Sequence, residues 1–332
     1  MVFHSPVRVL ILSHPVDTPS TKYRVLQFLP LFKRDGIEVE RVDIPSGFMD
    51  RWDLSSRCPD FDVVIHQKRL LPAWQFRALR KRARALVYDF DDPMIYGREG
   101  DKVTLSPTRV ARFREALAVA DAVVVNHAGT EALAREYGAK NVHVIPTSVN
   151  LARWTMKDSW AAERPVLGWV GSPANLPNLR EIAPALQGRR LKLVTDEPIE
   201  LPGVEVEFIR WDFETEPAHV RSFDIALAPL PDDPWSRAKM PFKILYYFAA
   251  GVPVVASRLG AVETVIRDDE NGLLAGDWKA QIDRLSDAAL RERLGRAGRK
   301  TVETEFTVES AYAKLRALLE TLVKGDGRDR RC

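Results

Sequence analysis

Short apolar runs rich in β-branched residues alternate with amphipathic stretches along nearly all of this chain, and the alternation runs its course twice. Val7–Leu12, Ile37–Val42, Phe61–His66, Ala85–Phe90, Ala122–Val125 and Val142–Ile145 have the length and composition of buried strands, and helical periodicity fills the segments between them. Parallel strands joined through helices must be covered on both faces, so this pattern dictates a doubly wound α/β domain. Between Pro146 and Pro165 the periodicity lapses into polar, tryptophan-containing sequence closed by a proline, the composition of an interdomain connection. The pattern then resumes with strand-like Val166–Val170, Leu191–Thr195, Val204–Ile209, Ile225–Ala228 and Val252–Ala256. Beyond Trp278 the chain reads as helical, ending in an amphipathic stretch from Val308 to about Val323 and a frayed tail. The expected organisation is a first α/β domain over 1–150, a second over 151–305, and a terminal helix with tail over 306–332.

The length agrees, since 332 residues exceed what one hydrophobic core usually organises. Apolar residues make up 45% and charged residues 29%, which separates the chain from disordered and disulfide-rich classes. Cys58 and Cys332 are far apart and lack metal-ligand spacing, so the sequence predicts no disulfide, no metal site and a reducing, cytoplasmic setting. No apolar stretch approaches the roughly 20 residues of a membrane-crossing helix. Formal net charge is +3, yet Arg77, Arg80, Lys81, Arg82 and Arg84 crowd one predicted helix. That face is either an ordinary solvated surface or a peripheral contact with phosphates at the inner membrane surface, and no nucleic-acid partner is expected.

Ligands of open α/β sheets bind beyond the carboxyl ends of the strands, so the residues that follow each strand hold the candidates. In the second half these include Lys239-Met240-Pro241-Phe242-Lys243, leading through Ala249-Ala250-Gly251 to Val252 and Ser257. Pro241 suits a first helical turn, Gly251 suits a C-terminal cap, and Lys239 and Lys243 stand one turn apart. The two lysines are either a diphosphate site or a solvated pair. Gly171 and Ser172 follow the first strand of this half, where glycine lets backbone approach a diphosphate. In the first half, Asp89-Phe90-Asp91-Asp92-Pro93 follows a strand and reads either as functional carboxylates or as a helix cap and turn. Lys22 and Arg24 open a helix after the first strand and could face an anionic acceptor, or Ser20 could simply cap that helix. Neither a P-loop nor a dinucleotide fingerprint is present, and the six histidines show no ligand spacing.

The stretch from Lys239 to Ser257, with Gly260, Glu263 and Asn271-Gly272-Leu273-Leu274, resembles the donor-binding half of the GT-B glycosyltransferases of family 4 (glycosyl transferases group 1). Val144-Ile145-Pro146 with Val149-Asn150, Gly168-Trp169-Val170-Gly171-Ser172, and Asp224 to Leu230 are similar to further segments of that family, in the same order. The resemblance implies two Rossmann-like domains facing a central cleft, with the terminal helix crossing back to the first. It implies transfer of a sugar from a nucleoside-diphosphate donor to an acceptor glycan, lipid or protein, with retention, without metal, and with no cofactor besides the donor substrate. Gly171, Ser172, Lys239, Lys243, Tyr246 and Glu263 then fall on the donor side, and Lys22 and Arg24 on the acceptor side. Asp91, at about the position of a family histidine, and Asp92 become the catalytic candidates. The literal Asp-x-Asp is discounted as a metal signature, because the second half reads as another nucleotide-binding-like domain. The family's paired glutamates, eight positions apart, fall on Ala238 and Tyr246 here. A non-catalytic relative that binds a partner or glycan is therefore the rival expectation, and a nucleotide-sugar epimerase a third.

Overall fold

The structure is a computed structural model that describes residues 7–47, 50, 55–99 and 102–325; the expected frayed end, with Cys332, lies outside them. It divides into two compact units, Met1–Ser148 with Val308–Cys332, and Val149–Thr307.

In the first unit the strands are β1 (Arg8–Ser13), β2 (Glu38–Asp43), β3 (Val63–Gln67), β4 (Ala85–Asp89), a hairpin of β5 (Tyr96–Glu99) and β6 (Lys102–Leu105), then β7 (Ala122–Val125) and β8 (Val142–Val144). All but the hairpin form one parallel sheet in the order β2-β1-β3-β4-β7-β8. Alternation along the strands sorts the side chains. Leu10, Leu12, Val64 and Tyr88 enter one core, and Val9, Ile11, Ile65 and Val87 the other. The connections are filled by α1 (Pro19–Arg24), α2 (Leu29–Arg34), α3 (Ala73–Arg82), α4 (Pro107–Val119) and α5 (Ala128–Glu136). The terminal helix, Val308–Gly325, completes the second core with Val308, Ala311, Tyr312, Leu315, Leu318 and Leu319. Their spacing of three and four residues builds a single apolar stripe, which is why the chain's end returns to this unit.

Periodicity predicts one helix from about Ser20 to Arg34, whereas the structure interposes a 3-10 turn at Leu26–Phe28. Val25 leaves helical geometry at φ −128°, and Pro30 has no N–H to close a bond to the preceding turn. The hairpin goes unseen in the sequence because β6 is only four residues long and largely exposed.

The second unit repeats the architecture with β9 (Val166–Val170), β10 (Arg190–Thr195), β11 (Glu205–Arg210), β12 (Ile225–Ala228), β13 (Val254–Ser257) and β14 (Leu273–Ala275), parallel in the order β11-β10-β9-β12-β13-β14. Its helices are α6 (Pro177–Leu186), α7 (Glu216–Arg221), α8 (Pro234–Ala238), α9 (Lys243–Ala249), α10 (Trp278–Arg284) and α11 (Ala288–Glu305). The strand order reverses between β9 and β12 here, and between β1 and β3 in the first unit. At such a switch point the following loops diverge and leave a crevice for ligands.

In the second unit the crevice is opened by a tyrosine. β9 and β12 pair only at Leu167 with Ile225 and Gly168 with Ala226. Past that point Val170 N–H donates to the Tyr247 hydroxyl at 3.1 Å, and that hydroxyl donates to the Leu227 carbonyl at 3.2 Å. The ring, fully buried on α9, thus satisfies the backbone groups that the parting strands abandon. Gly251, at φ +69°, reverses the chain after α9, a left-handed conformation that favours glycine.

Candidate functional site

In the second unit, Gly171 and Ser172 follow β9 directly, and Gly171 N–H is held by the Val194 carbonyl at 3.1 Å. A Cβ on Gly171 would lie 2.8 Å from Lys243 Nζ and equally close to the Trp169 ring, so the glycine is what allows these two groups to meet beside the backbone. The Lys243 ammonium sits 4.1 Å from the centroid of the Trp169 ring, a contact whose desolvated form contributes about 2 kcal/mol. Burial, with the like charge of Lys239, pulls Lys243 down to about 7. Among the described residues no carboxylate pairs with it. A cation so placed is an incomplete electrostatic site, and an incoming anion supplies what the protein does not.

The other donor-side candidates lie around this point in different states. Lys239 follows α8, with Nζ 5.8 Å from the Trp235 ring centroid. The Ser172 hydroxyl accepts a hydrogen bond from Asn175 Nδ2 at 2.9 Å. Glu263 is exposed on a 3-10 turn, Gly260–Thr264. Tyr246 is buried, stacked on Trp154 at 4.9 Å and 16° and met edge-on by Phe242. The helix that the sequence starts at Pro241 begins at Lys243 and spans seven residues, so its dipole adds little and the lysine side chain carries the charge.

In the first unit the switch point gathers groups from three strand ends. His14 follows β1, Lys68 follows β3, and Asp91 and Asp92 follow β4. Lys68 Nζ lies 3.1 Å from Asp91 Oδ1 and 2.5 Å from Asp92 Oδ2. Its backbone takes the left-handed φ of +62°, held by a 2.7 Å bond from its N–H to the Asp89 carbonyl and a 3.0 Å bond from the Tyr88 hydroxyl to its own carbonyl. A non-glycine residue in that region costs energy, and its neighbours fix it there. Burial alone would depress Lys68, but Asp91 and Asp92 reverse the direction and hold its ammonium well above the ordinary lysine range. His14 is pushed below its usual value by burial and by the charges of Lys68 and Arg69, and burial takes His66 down to about 4.

Arg24, expected to face an anionic acceptor, points inward instead. Its guanidinium is buried against the Asp89 carboxylate, with further bonds to the Ile145 carbonyl at 3.2 Å and Thr147 Oγ1 at 3.1 Å. Every arm of that fork is engaged inside the unit, which makes Arg24 a tie between strand ends and leaves Lys22, half-buried on α1, as the acceptor-side candidate. The basic helix α3 is partly neutralised: Arg77 pairs with Glu115, Arg80 with Asp121, and Arg84, just beyond it, with Asp62, while Arg82 donates to the Ser55 hydroxyl. Lys68 and Trp169 escape the sequence reading, although both lie at or next to strand ends, where the search for ligands begins. Among the described residues no group of three or more histidines, cysteines or acids could hold a metal, and no helix is long and apolar enough to cross a membrane.

Residues 164–291 match the family model described as glycosyl transferases group 1. Among curated proteins, the chain is 36% identical over 83 residues to the capsular polysaccharide biosynthesis glycosyltransferase CapM of Staphylococcus aureus, covering 23% of this chain and 22% of that one. It is 28% identical over 266 residues to the D-inositol 3-phosphate glycosyltransferase of Geodermatophilus obscurus, covering 66% and 58% respectively. The chain thus spans about a fifth and somewhat over half of these relatives' own lengths. Among solved structures, sucrose-phosphate synthase from Thermosynechococcus elongatus superposes with a TM-score of 0.77 at 16% identity, over 96% of this chain and 100% of that one. Anabaena HepE in complex with UDP-glucose superposes with a TM-score of 0.69 at 14% identity, over 95% and 99%. Strand order, paired units and these matches agree: the chain has the GT-B glycosyltransferase fold and carries a glycosyl transferases group 1 domain over residues 164–291.

Proposed function

We propose that this chain is a retaining, metal-independent glycosyltransferase that takes a sugar from a nucleoside-diphosphate donor held by the second unit and passes it to a hydroxyl acceptor bound by the first. The observation that carries this reading is Lys243, an ammonium set against a ring and a glycine, without a carboxylate, beside the switch point of a sheet in the group 1 domain. As the glycosidic bond breaks, negative charge grows on the departing diphosphate, and a fixed cation at that place lowers the barrier. Lys239 and the backbone at Ser172 complete the anion's surroundings, and Gly171, its N–H engaged by Val194, keeps the space beside them open. In the first unit, Lys68 holds Asp91 and Asp92 together. Asp91 is the more open of the two, at 18% side-chain exposure against 9%, and is assigned to accept the hydrogen bond of the acceptor hydroxyl. Lys68 sets one positive charge between these two carboxylates, and the proposed chemistry draws on no metal.

A thermal-shift and calorimetric panel of UDP, ADP, GDP and dTDP and their sugars tests the reading, since a ligand that binds only the native state raises apparent stability. UDP-sugars come first, because HepE was solved with UDP-glucose. Selective binding lost in Lys243→Ala, followed by an α-linked product from an α-linked donor in the presence of EDTA, is the expected result. Binding unchanged in that variant would refute it. One observation favours a second reading: where the family places a glutamate, Tyr246 is stacked on Trp154, so neither a carboxylate nor that ring face is offered to a ribose. A chain that binds a nucleotide diphosphate and yields neither product nor isomerised donor, across an acceptor panel, would be a binding protein on this fold.

A further inference from the structure

We infer that Trp169 is a positioning residue for the donor, its ring fixing the Lys243 ammonium where the diphosphate arrives without neutralising it. This rests on the reading of Lys243 as a diphosphate ligand. Trp169 lies on β9 and pairs with Leu193 of β10, one residue past the last pairing of β9 with β12, so the sheet and not a loop sets the ring's place. The side chain is fully buried, and its face carries the ammonium 4.1 Å from the centroid. Gly171 leaves open the point that ring and ammonium share, where a Cβ would stand 2.8 Å from each. The charged group acting on Lys243 is Lys239, which repels it.

A carboxylate is the usual partner of a protein cation, but it brings a full negative charge that an incoming diphosphate has to displace. An aromatic face attracts an ammonium through its quadrupole and has no net charge, so the head group is oriented while its N–H donors stay available. The structure has the second arrangement. Trp169 would then act on the donor through Lys243 alone, and removing either member should remove the same increment of affinity.

The test is a double-mutant cycle on the full chain, read by calorimetry with the best-bound of UDP, ADP, GDP and dTDP. Trp169→Leu is expected to weaken binding about tenfold, the scale of a desolvated cation–ring contact, while Trp169→Phe, which keeps a face, stays within about threefold. In the Lys243→Ala background, Trp169→Leu should have no further effect. Full additivity of the two losses, or a Phe variant as weak as the Leu variant, would overturn the inference, because a merely structural tryptophan behaves that way. Should the Leu variant fail to fold, fluorinated tryptophan weakens the ring's negative face without changing its shape. The expected loss of affinity must then disappear in Trp169→Phe, and a loss that persists there also overturns the inference. If Lys243→Ala alone leaves binding intact, the assignment of Lys243 is what has failed, and the cycle shows this separately.

Discussion

Replacing Lys243 by methionine should make the protein more stable and a poorer nucleotide binder. Methionine has a similar reach and no charge, so it keeps contact with the Trp169 ring while removing the cost of holding an ammonium among buried groups. The sign follows from linkage. Lys243 in the folded chain releases its proton at about 7, against 10.5 for an ordinary lysine, so between these values the unfolded chain binds more protons. Wild-type stability therefore rises with pH across that window, and the full penalty is present below about 7. Because the side chain retains partial exposure, the expected gain for Lys243→Met is about 1–2 kcal/mol at pH 6.5, shrinking towards pH 10. Loss of a charged hydrogen bond to the diphosphate should at the same time weaken the best-bound nucleotide by roughly 10- to 100-fold. Wild-type affinity should fall above pH 7, by up to about tenfold per pH unit, as the free lysine loses the proton that the complex needs. Urea unfolding at pH 6.5 and 9, with calorimetry at the same values, measures both sides. A methionine variant less stable than wild type at pH 6.5, or a nucleotide affinity flat from pH 6 to 9, would refute the electrostatic account.

Tyr247→Phe leaves Val170 N–H and the Leu227 carbonyl without their buried partner and should cost about 2 kcal/mol in urea unfolding, with nucleotide affinity lowered only through the looser crevice. Asp89→Asn strands the buried Arg24 guanidinium and should cost about 3 kcal/mol, whereas Arg24→Met with Asp89→Leu should recover much of it, a difference that unfolding of the three variants reads directly. Asp91→Asn should lower turnover by about 100-fold while leaving the affinity for the free nucleotide diphosphate unchanged, and equal losses in both would remove Asp91 from the acceptor side.

The fold was legible because hydrophobic periodicity reports burial, and here burial is two-sided. Runs such as Val63–Ile65 and Ile225–Ala228 are apolar throughout, which only a parallel sheet covered on both faces accommodates. The terminal helix was legible for the same reason, through the stripe from Val308 to Leu319. Periodicity cannot say how far each strand stays paired with its neighbour. The opening between β9 and β12 depends on one hydroxyl, from a tyrosine that in sequence looks like another core aromatic beside Tyr246.

The candidate sites were legible where a residue's type and its place along the chain suffice, and obscure where a charge's meaning depends on what faces it. Lys243, Gly171 and the Asp91–Asp92 pair stand beside strand ends or a helix start; within the second unit Gly171 lies against Lys243, and within the first Asp91 and Asp92 share Lys68. Arg24 and Lys68 show the opposite case. Lys68 directly follows β3 and Arg24 closes α1, and in neither case does the local sequence say which carboxylate the cation meets. Only the sheet order, which sets β1 beside β3 and β3 beside β4, gives Asp89 to Arg24 and leaves Asp91 and Asp92 to Lys68. Asp89 is the last residue of β4 and Asp91 lies beyond it; an unbroken strand would turn both carboxylates to one face, so it is the end of the strand that divides them between a buried tie and a half-open pair. An arginine fork spent on a carboxylate, a carbonyl and a hydroxyl suits the first duty, and a single ammonium between two carboxylates suits the second, since it can release one oxygen to an incoming hydroxyl without abandoning the other.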